Sequence, residues 1–143
     1  MTGANNKTAY DRDIQEIDLK LTSHENQVFG IAVFDVNGLK EINDNYGHES
    51  GNYLISDASD AIRAAFPKDR VYRIGGDEFV LIFEGRTDEE IDKCIAAIRE
   101  ESSVKFSAGT YNDIPHGRQK SWDYLEFADM ELYKEKKYKK RSR

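Results

Sequence analysis

The chain is 143 residues long, the size of one ordinary domain, and its 21 Lys and Arg stand against 27 Asp and Glu for a net charge of −6. A mean hydropathy of −0.75 marks it as polar, yet 11% aromatic residues and only two prolines argue against disorder. The longest apolar run, Val28 to Phe34, is too short to cross a bilayer; residues 2–13 are polar where a signal peptide would be apolar; and the lone Cys94 excludes an internal disulfide and any multi-cysteine zinc site.

In chain order, Tyr10, Ile14, Ile17 and Leu21 recur at helical spacing and open the sequence with a helix. Val28 to Phe34 reads as a strand buried on both faces, followed by a loop at Asn37-Gly38. Leu54, Ala58, Ala61, Ile62 and Ala65 trace a helical face that stops at Phe66, because the residue before Pro67 is pushed out of the α region. Arg70 to Ile74 and Glu78 to Phe83, joined through Gly75-Gly76, predict a β-hairpin. Thr87 and Glu90 have capping-box spacing ahead of the stripe Ile91, Cys94, Ile95 and Ile98. Val104 to Tyr111 reads as a strand. Ser121 to about Lys139 reads as a closing helix with Leu125, Ala128, Leu132 and Tyr133 inward. The order predicts an α+β fold, a ferredoxin-like βαββαβ core with two helices on one face of an antiparallel sheet, plus N- and C-terminal helices.

Charge is uneven. Lys134 to Arg143 holds seven basic residues and one Glu, which leaves 14 basic and 26 acidic residues, a net −12, in the rest. So acidic a body argues against a general nucleic-acid binder, and a basic helix end has an ordinary role in complementing the macrodipole.

The placement of acids suggests chemistry. Asp35 ends the first buried strand and Asp77-Glu78 lie at the hairpin. In a βαββαβ sheet the first and third core strands are central neighbours, so these carboxylates are expected to meet. Clustered carboxylates at strand ends suit Mg²⁺, whose octahedron phosphates and water complete, while Gly75 and Gly76 let a phosphorylated ligand approach the backbone. Acids and glycines are also common turn formers, so spacing alone leaves both readings open.

The exact string narrows them. Arg73-Ile-Gly-Gly-Asp-Glu-Phe-Val-Leu81 resembles the signature of the GGDEF family, the diguanylate cyclases; at ordinary residue usage the pentapeptide is expected by chance in about one such chain in ten thousand. Phe34 to Asn52 resembles that family's nucleotide-binding stretch. Ser107-Ala-Gly-Thr110 and Ala128 to Lys136 resemble its last strand and closing helix, and Thr2 to Lys7 its opening, entered partway. The resemblance spans residues 1–143 as a single domain and implies a nucleotidyl-cyclase or palm-like sheet. The expected location is cytoplasmic, in a segment with no membrane contact that is a piece of a longer sensor protein with an upstream regulatory domain, and that longer protein could be membrane-anchored.

Residue by residue, the resemblance implies that Asp35, the carbonyl of Val36, Asp77 and Glu78 hold Mg²⁺ (or Mn²⁺). It makes Asp77, with Glu78, the catalytic pair and Asp77 the base for an attacking 3′-hydroxyl. Asn43 and Asn52 then read guanine, Leu39 packs at the base with Leu54 nearby, Gly75 and Gly76 face substrate, and Lys136 and Lys140 hold the triphosphate. The implied reaction joins two GTP into cyclic di-GMP across a homodimer, with release of pyrophosphate. His24, His48 and His116 lack partners at metal spacing, Cys94 reads as packed core, and Trp122 and the tyrosines are too scattered to stack a single strand.

Four departures matter. The product-inhibition motif Arg-x-x-Asp reads Phe66-Pro67-Lys68-Asp69, leaving a degenerate inhibitory site with Asp69 only. Lys140 replaces a usual Arg, Asn52 a usual Asp, and Asn37 stands where many relatives carry a second Asp. The alternative to an enzyme is a catalytically weak module that binds GTP or cyclic di-GMP; the intact Asp77 and Glu78 favour the enzyme.

Overall fold

The computed structural model describes residues 3–23 and 27–141, with side chains through residue 138. Along them run α1 (Lys7–Ser23), β1 (Phe29–Val36), α2 (Leu39–Tyr46), α3 (His48–Ala65), β2 (Arg70–Arg73), β3 (Glu78–Glu84), α4 (Asp88–Glu101), β4 (Phe106–Asp113) and α5 (Ser121–Arg141). All strand pairs are antiparallel, in the order β2-β3-β1-β4. This is the expected α+β, ferredoxin-like sheet, with β1 and β3 central.

Alternation along β1 explains its unbroken apolar run. Ala32, Phe34 and Val36 face one core, and Phe29, Ile31 and Val33 face a second. The first core fills the space under α3 and α4 with Ile55, Ala58, Ile62, Ile91 and Ile98. The second fills the space under α1 and α5 with Tyr10, Ile17, Leu21, Tyr124, Ala128 and Leu132. The crossover helices thus cover one face, as the layer rule requires, and the terminal helices cover the other. Each fully buried Phe, Ile or Leu contributes roughly 1.5–3 kcal/mol relative to exposure.

Local signals place the helix ends. Thr87 caps α4 through a complete capping box: its hydroxyl accepts from the Glu90 N–H while the Glu90 side chain accepts from the Thr87 N–H. Phe66 ends α3, just before Pro67. Gly109 on β4 lets α5 lie close, because a Cβ there would run into the Ala128 carbonyl and the Leu132 backbone. That approach carries the C-terminal half of α5 over the ends of β1 and β3.

The structure corrects several expectations. Residues 39–53, between the loop expected at Asn37-Gly38 and the helical face traced from Leu54, form α2 and the start of α3, divided at Gly47 with a positive φ of 91°. Helix α2 buries no residue, so it carries no apolar stripe to read. On α5, Tyr133 is 60% exposed, and the inward aromatic is Tyr124, whose hydroxyl donates to the Asp113 carbonyl at 2.8 Å. Strand β4 begins at Phe106, with Val104 buried just ahead of it. His24 lies outside the described residues.

Candidate active site

Asp35 is the penultimate residue of β1, directly opposite Glu78 of β3 on one side and Ser107 of β4 on the other. Alternation from Val33, which faces the α1/α5 core, turns the Asp35 side chain toward α5. The same logic from Val80 turns Glu78 that way. The hairpin loop is tied to β1 by the Val36 N–H, which donates to the Asp77 carbonyl at 2.8 Å, and Asn37 N–H donates to the Lys105 carbonyl at 2.9 Å. The sheet therefore brings Asp35, Asp77 and Glu78 to one corner.

That corner is electrostatically unbalanced. Burial pushes the Asp77 carboxyl above its usual range, and a hydrogen bond to Asp35 and that residue's charge add to it. Burial likewise raises Glu78, followed by the charges of Asp129, Asp35 and Asp77. Asp129 of α5 is itself raised by burial, with Lys136 opposing. Among the described side chains one ammonium answers these four carboxylates: Lys136 Nζ bonds Asp35 Oδ2. Asp129 escaped notice in the sequence; it stands seven residues before Lys136, two helical turns away on the same face, and that spacing was its only signal.

A binding wall stands beside the corner. Leu39, at the start of α2, has a methyl 3.8 Å from where a Cβ on Gly76 would lie and another 3.1 Å from the corresponding point on Gly51 of α3. It thus bridges the glycine turn and the α2–α3 pair. Asn43 Oδ1 lies against Gly51, buried and without a hydrogen-bond partner among the described residues. An orphaned carboxamide oxygen calls for a donor from a ligand. Asn52, the next residue after Gly51, is exposed on α3. A cleft of about 1010 Å³, lined in part by Asn37, Leu39, Lys40 and Asp77, opens here.

The turn itself is held by Arg73, whose Nε donates to the carbonyls of Gly75 and Gly76 at 3.2 Å and whose Nη2 donates to Gly76 at 2.8 Å. Neither glycine has a positive φ, and nothing closer than 3.5 Å meets a Cβ built on either. Neither backbone conformation nor packing within the chain demands glycine there. The open space above the turn is what an approaching ligand would use.

Other candidates resolve differently. Lys136, expected at the triphosphate, rests on Asp35, and the side chain of Lys140 lies outside the described residues. Phe66, at the position of the missing inhibitory arginine, is 2% exposed and packs edge-on against Phe34 and tilted against Phe83 in the first core. Both Asp69 oxygens accept from Arg86, at 2.8 and 3.2 Å. His116 pairs with Asp113, His48 is exposed at the start of α3, and Cys94 packs half-buried, its thiol pushed up by burial. Among the described residues no three acids, histidines or cysteines stand ready to hold a metal by themselves. The Asp35–Asp77 pair is nonetheless a donor set of hard oxygens at which two like charges meet, and Mg²⁺ needs only one or two carboxylates when phosphates supply the rest.

Comparison with known proteins gives the same direction. A family model described as diguanylate cyclase, GGDEF domain, matches residues 1–142. The chain is 33% identical over 135 residues to the probable diguanylate cyclase DgcJ of Escherichia coli K12, covering 86% of this chain and 27% of that protein. It is 34% identical over 86 residues to diguanylate cyclase DgcS of Shewanella oneidensis, covering 59% and 29%. It thus spans less than a third of the length of these relatives. Among solved structures, the GGDEF domain of DgcB from Caulobacter crescentus, in complex with c-di-GMP, superposes with a TM-score of 0.81 at 25% identity over 95% of this chain and 85% of that one. A family match across nearly the whole chain, and a fold that superposes over nearly all of it, place this chain in the GGDEF-domain family of diguanylate cyclases.

Proposed function

We propose that this chain is a diguanylate cyclase that condenses two GTP into cyclic di-GMP. The observation that carries the reading is the Asp35–Asp77 carboxylate pair, crowded beside an open glycine turn with the Lys136 ammonium on Asp35. Asp35, Asp77 and the Val36 carbonyl, with Glu78 adjacent, would hold Mg²⁺ or Mn²⁺, which when bound supplies charge neutralisation for the triphosphate.

The chain's own residues do the rest. Asp77, whose burial suits it to accept a proton, takes one from the 3′-hydroxyl of the bound GTP. The hydroxyl oxygen bonds to the α-phosphorus of a GTP on a second chain. The bond from that phosphorus to the oxygen bridging to the β-phosphate breaks, and pyrophosphate leaves with the electron pair. Taken once in each direction the step closes the ring, so a two-fold symmetric product asks for a homodimer. Asn43 and Asn52 read guanine with Leu39 against the base. Gly75 and Gly76 admit the ribose and phosphates, and Lys136 and Lys140 hold the triphosphate once Lys136 leaves Asp35.

A second reading has one observation of its own. The Lys136 ammonium on Asp35 competes with any cation there, which suits a module that binds GTP or cyclic di-GMP without turnover. Incubation with GTP and Mg²⁺, followed by chromatography, separates the two; a version fused to a dimeriser serves as control for weak self-association. Cyclic di-GMP that disappears with Asp77→Asn supports the enzyme, whereas unchanged GTP in the fused dimer supports the binding module.

A further inference from the structure

The glycine turn has two sides, and the cleft at Asp77 accounts for only one. On the other side a second cleft of about 860 Å³ is lined by Gly75 and Gly76, by Asn5 and Asn6 before α1, and by Arg12 and Arg73. That is within the size of small-molecule sites. In a chain of net charge −6, the charged residues that line it among the described residues are these two arginines. Arg73 spends its Nε and Nη2 on the turn carbonyls and keeps Nη1 out of those bonds. Among the described residues Arg12 pairs with its neighbour Asp13, an exposed contact at 3.0 Å with 74% of the arginine side chain exposed. Exposed pairs of this kind hold a side chain weakly. Helix α1 starts at the cleft, capped by Asn6, whose Oδ1 accepts from the Ala9 N–H at 2.8 Å, so the positive end of its dipole adds to the same field.

We infer that the Arg12–Arg73 cleft receives the phosphates of the nucleotide carried by the facing copy of this chain, with Arg12 as the residue that positions it. The inference rests on the two-chain reaction proposed above. One nucleotide lies on the Asn43–Leu39–Asp77 side of the turn; the reaction brings a second to the same turn, and the cations that line the other side of that turn are Arg12 and Arg73. Arg73 doubles as the strut of the turn, so Arg12 is the clean probe.

The test uses the whole chain and a GTP analogue with a methylene group between the α- and β-phosphates, which cannot release pyrophosphate. Three quantities are measured for wild type, Arg12→Ala, Arg12→Glu and Arg118→Glu, the last an exposed loop residue outside the cleft. Calorimetry at protein concentrations too low for dimerisation should show the analogue binding each chain with affinity within about twofold of wild type, because a chain's own site lacks Arg12. Sedimentation should show the analogue driving wild type and Arg118→Glu toward dimer while Arg12→Glu stays monomeric. Cyclic di-GMP formation should fall about tenfold in Arg12→Ala, the scale of one lost charge-assisted phosphate contact, and further in Arg12→Glu. A wild type that binds the analogue yet stays monomeric overturns the inference. So does an Arg12→Glu chain that dimerises normally, or an Arg118→Glu chain that loses as much. Failure of the enzymatic reading looks different: no product from wild type in any state, with the sedimentation result still deciding the cleft.

Discussion

Two charged corners of this molecule make a useful pair. At the end of β1, Asp35, Asp77, Glu78 and Asp129 share one ammonium among the described side chains, and Asp77, Glu78 and Asp129 are all held above their usual titration range. At the end of α3, Asp69 is matched by the guanidinium of Arg86, which also reaches Glu90 at 3.3 Å, while Phe66 fills the core beside it. Both corners lie at the margin of the sheet and both contain acids quoted in family motifs. The first leaves charge uncompensated, and that costs stability unless something binds. The second compensates its charge internally and serves the fold. Unbalanced charge marks the candidate site; balanced charge marks a strut.

Substitutions that swap these characters give the largest effects. Phe66→Arg, which rebuilds the inhibitory motif on paper, places a guanidinium among Phe34 and Phe83 and should destabilise the chain by about 3–5 kcal/mol. Chemical denaturation measures this, and calorimetry should find no submicromolar cyclic di-GMP site that depends on Asp69. A stable variant with such a site would erase the distinction between the corners.

Asp35→Asn or Asp77→Asn should lower turnover at least about a hundredfold, roughly 2.7 kcal/mol of lost transition-state stabilisation, with no loss of fold. Arg86→Ala should do the reverse. Stranding the Asp69 carboxylate should cost about 2–3 kcal/mol of stability, somewhat less than for a fully buried pair because Arg86 is 24% exposed. Activity at 25 °C should stay within about threefold of wild type, as a balanced strut away from the reacting groups implies.

Asn52→Asp should sharpen GTP over ATP by about tenfold. A carboxylate only accepts hydrogen bonds and so suits the guanine edge, whereas an amide turns either way, and the charged bond is stronger by roughly 1–1.5 kcal/mol. Binding constants for both nucleotides, compared between wild type and variant, check it.

The smallest effect is in stability against pH. Because Asp77 titrates above its usual range in the fold, the native state holds that proton more tightly than the unfolded chain, and the ionised group opposes folding at neutral pH. The penalty is full above the raised value and vanishes as pH falls below the ordinary carboxylate range. Asp77→Asn should therefore melt about 2 °C higher at pH 7 and converge on wild type near pH 3.5. Cyclase activity should decline with acidification as the base is protonated. A lower melting temperature for the variant at pH 7 would mean that Asp77 is a stabilising partner, like Asp69.

Much of this was readable in the sequence, for reasons that can be named. A seven-residue apolar run rich in β-branched and aromatic residues is too short for a buried helix and reads as a doubly covered strand, so β1 and its place at the centre followed, and with them the meeting of Asp35 and the hairpin. Thr87 with Glu90 and Phe66 before Pro67 are local rules that tertiary contacts did not override. Helix α2 was illegible because it buries nothing, and Tyr133 was misplaced because Leu125, Ala128 and Leu132 define a face that Tyr124, rather than Tyr133, completes. The bond from Arg86 to Asp69 joins residues 17 apart and the bond from Lys136 to Asp35 joins residues 101 apart; no periodicity announces either. Asp129 was visible only through its spacing from Lys136.

The most direct measurement is Mn²⁺ binding in the presence of the methylene GTP analogue, followed by electron paramagnetic resonance, for wild type, Asp35→Asn and Arg86→Ala. Wild type and Arg86→Ala should bind the ion with the nucleotide, and Asp35→Asn should lose at least about tenfold in ion affinity while remaining folded. Equal Mn²⁺ affinity in wild type and Asp35→Asn would contradict the assignment of the unbalanced corner as the place where cation and nucleotide meet.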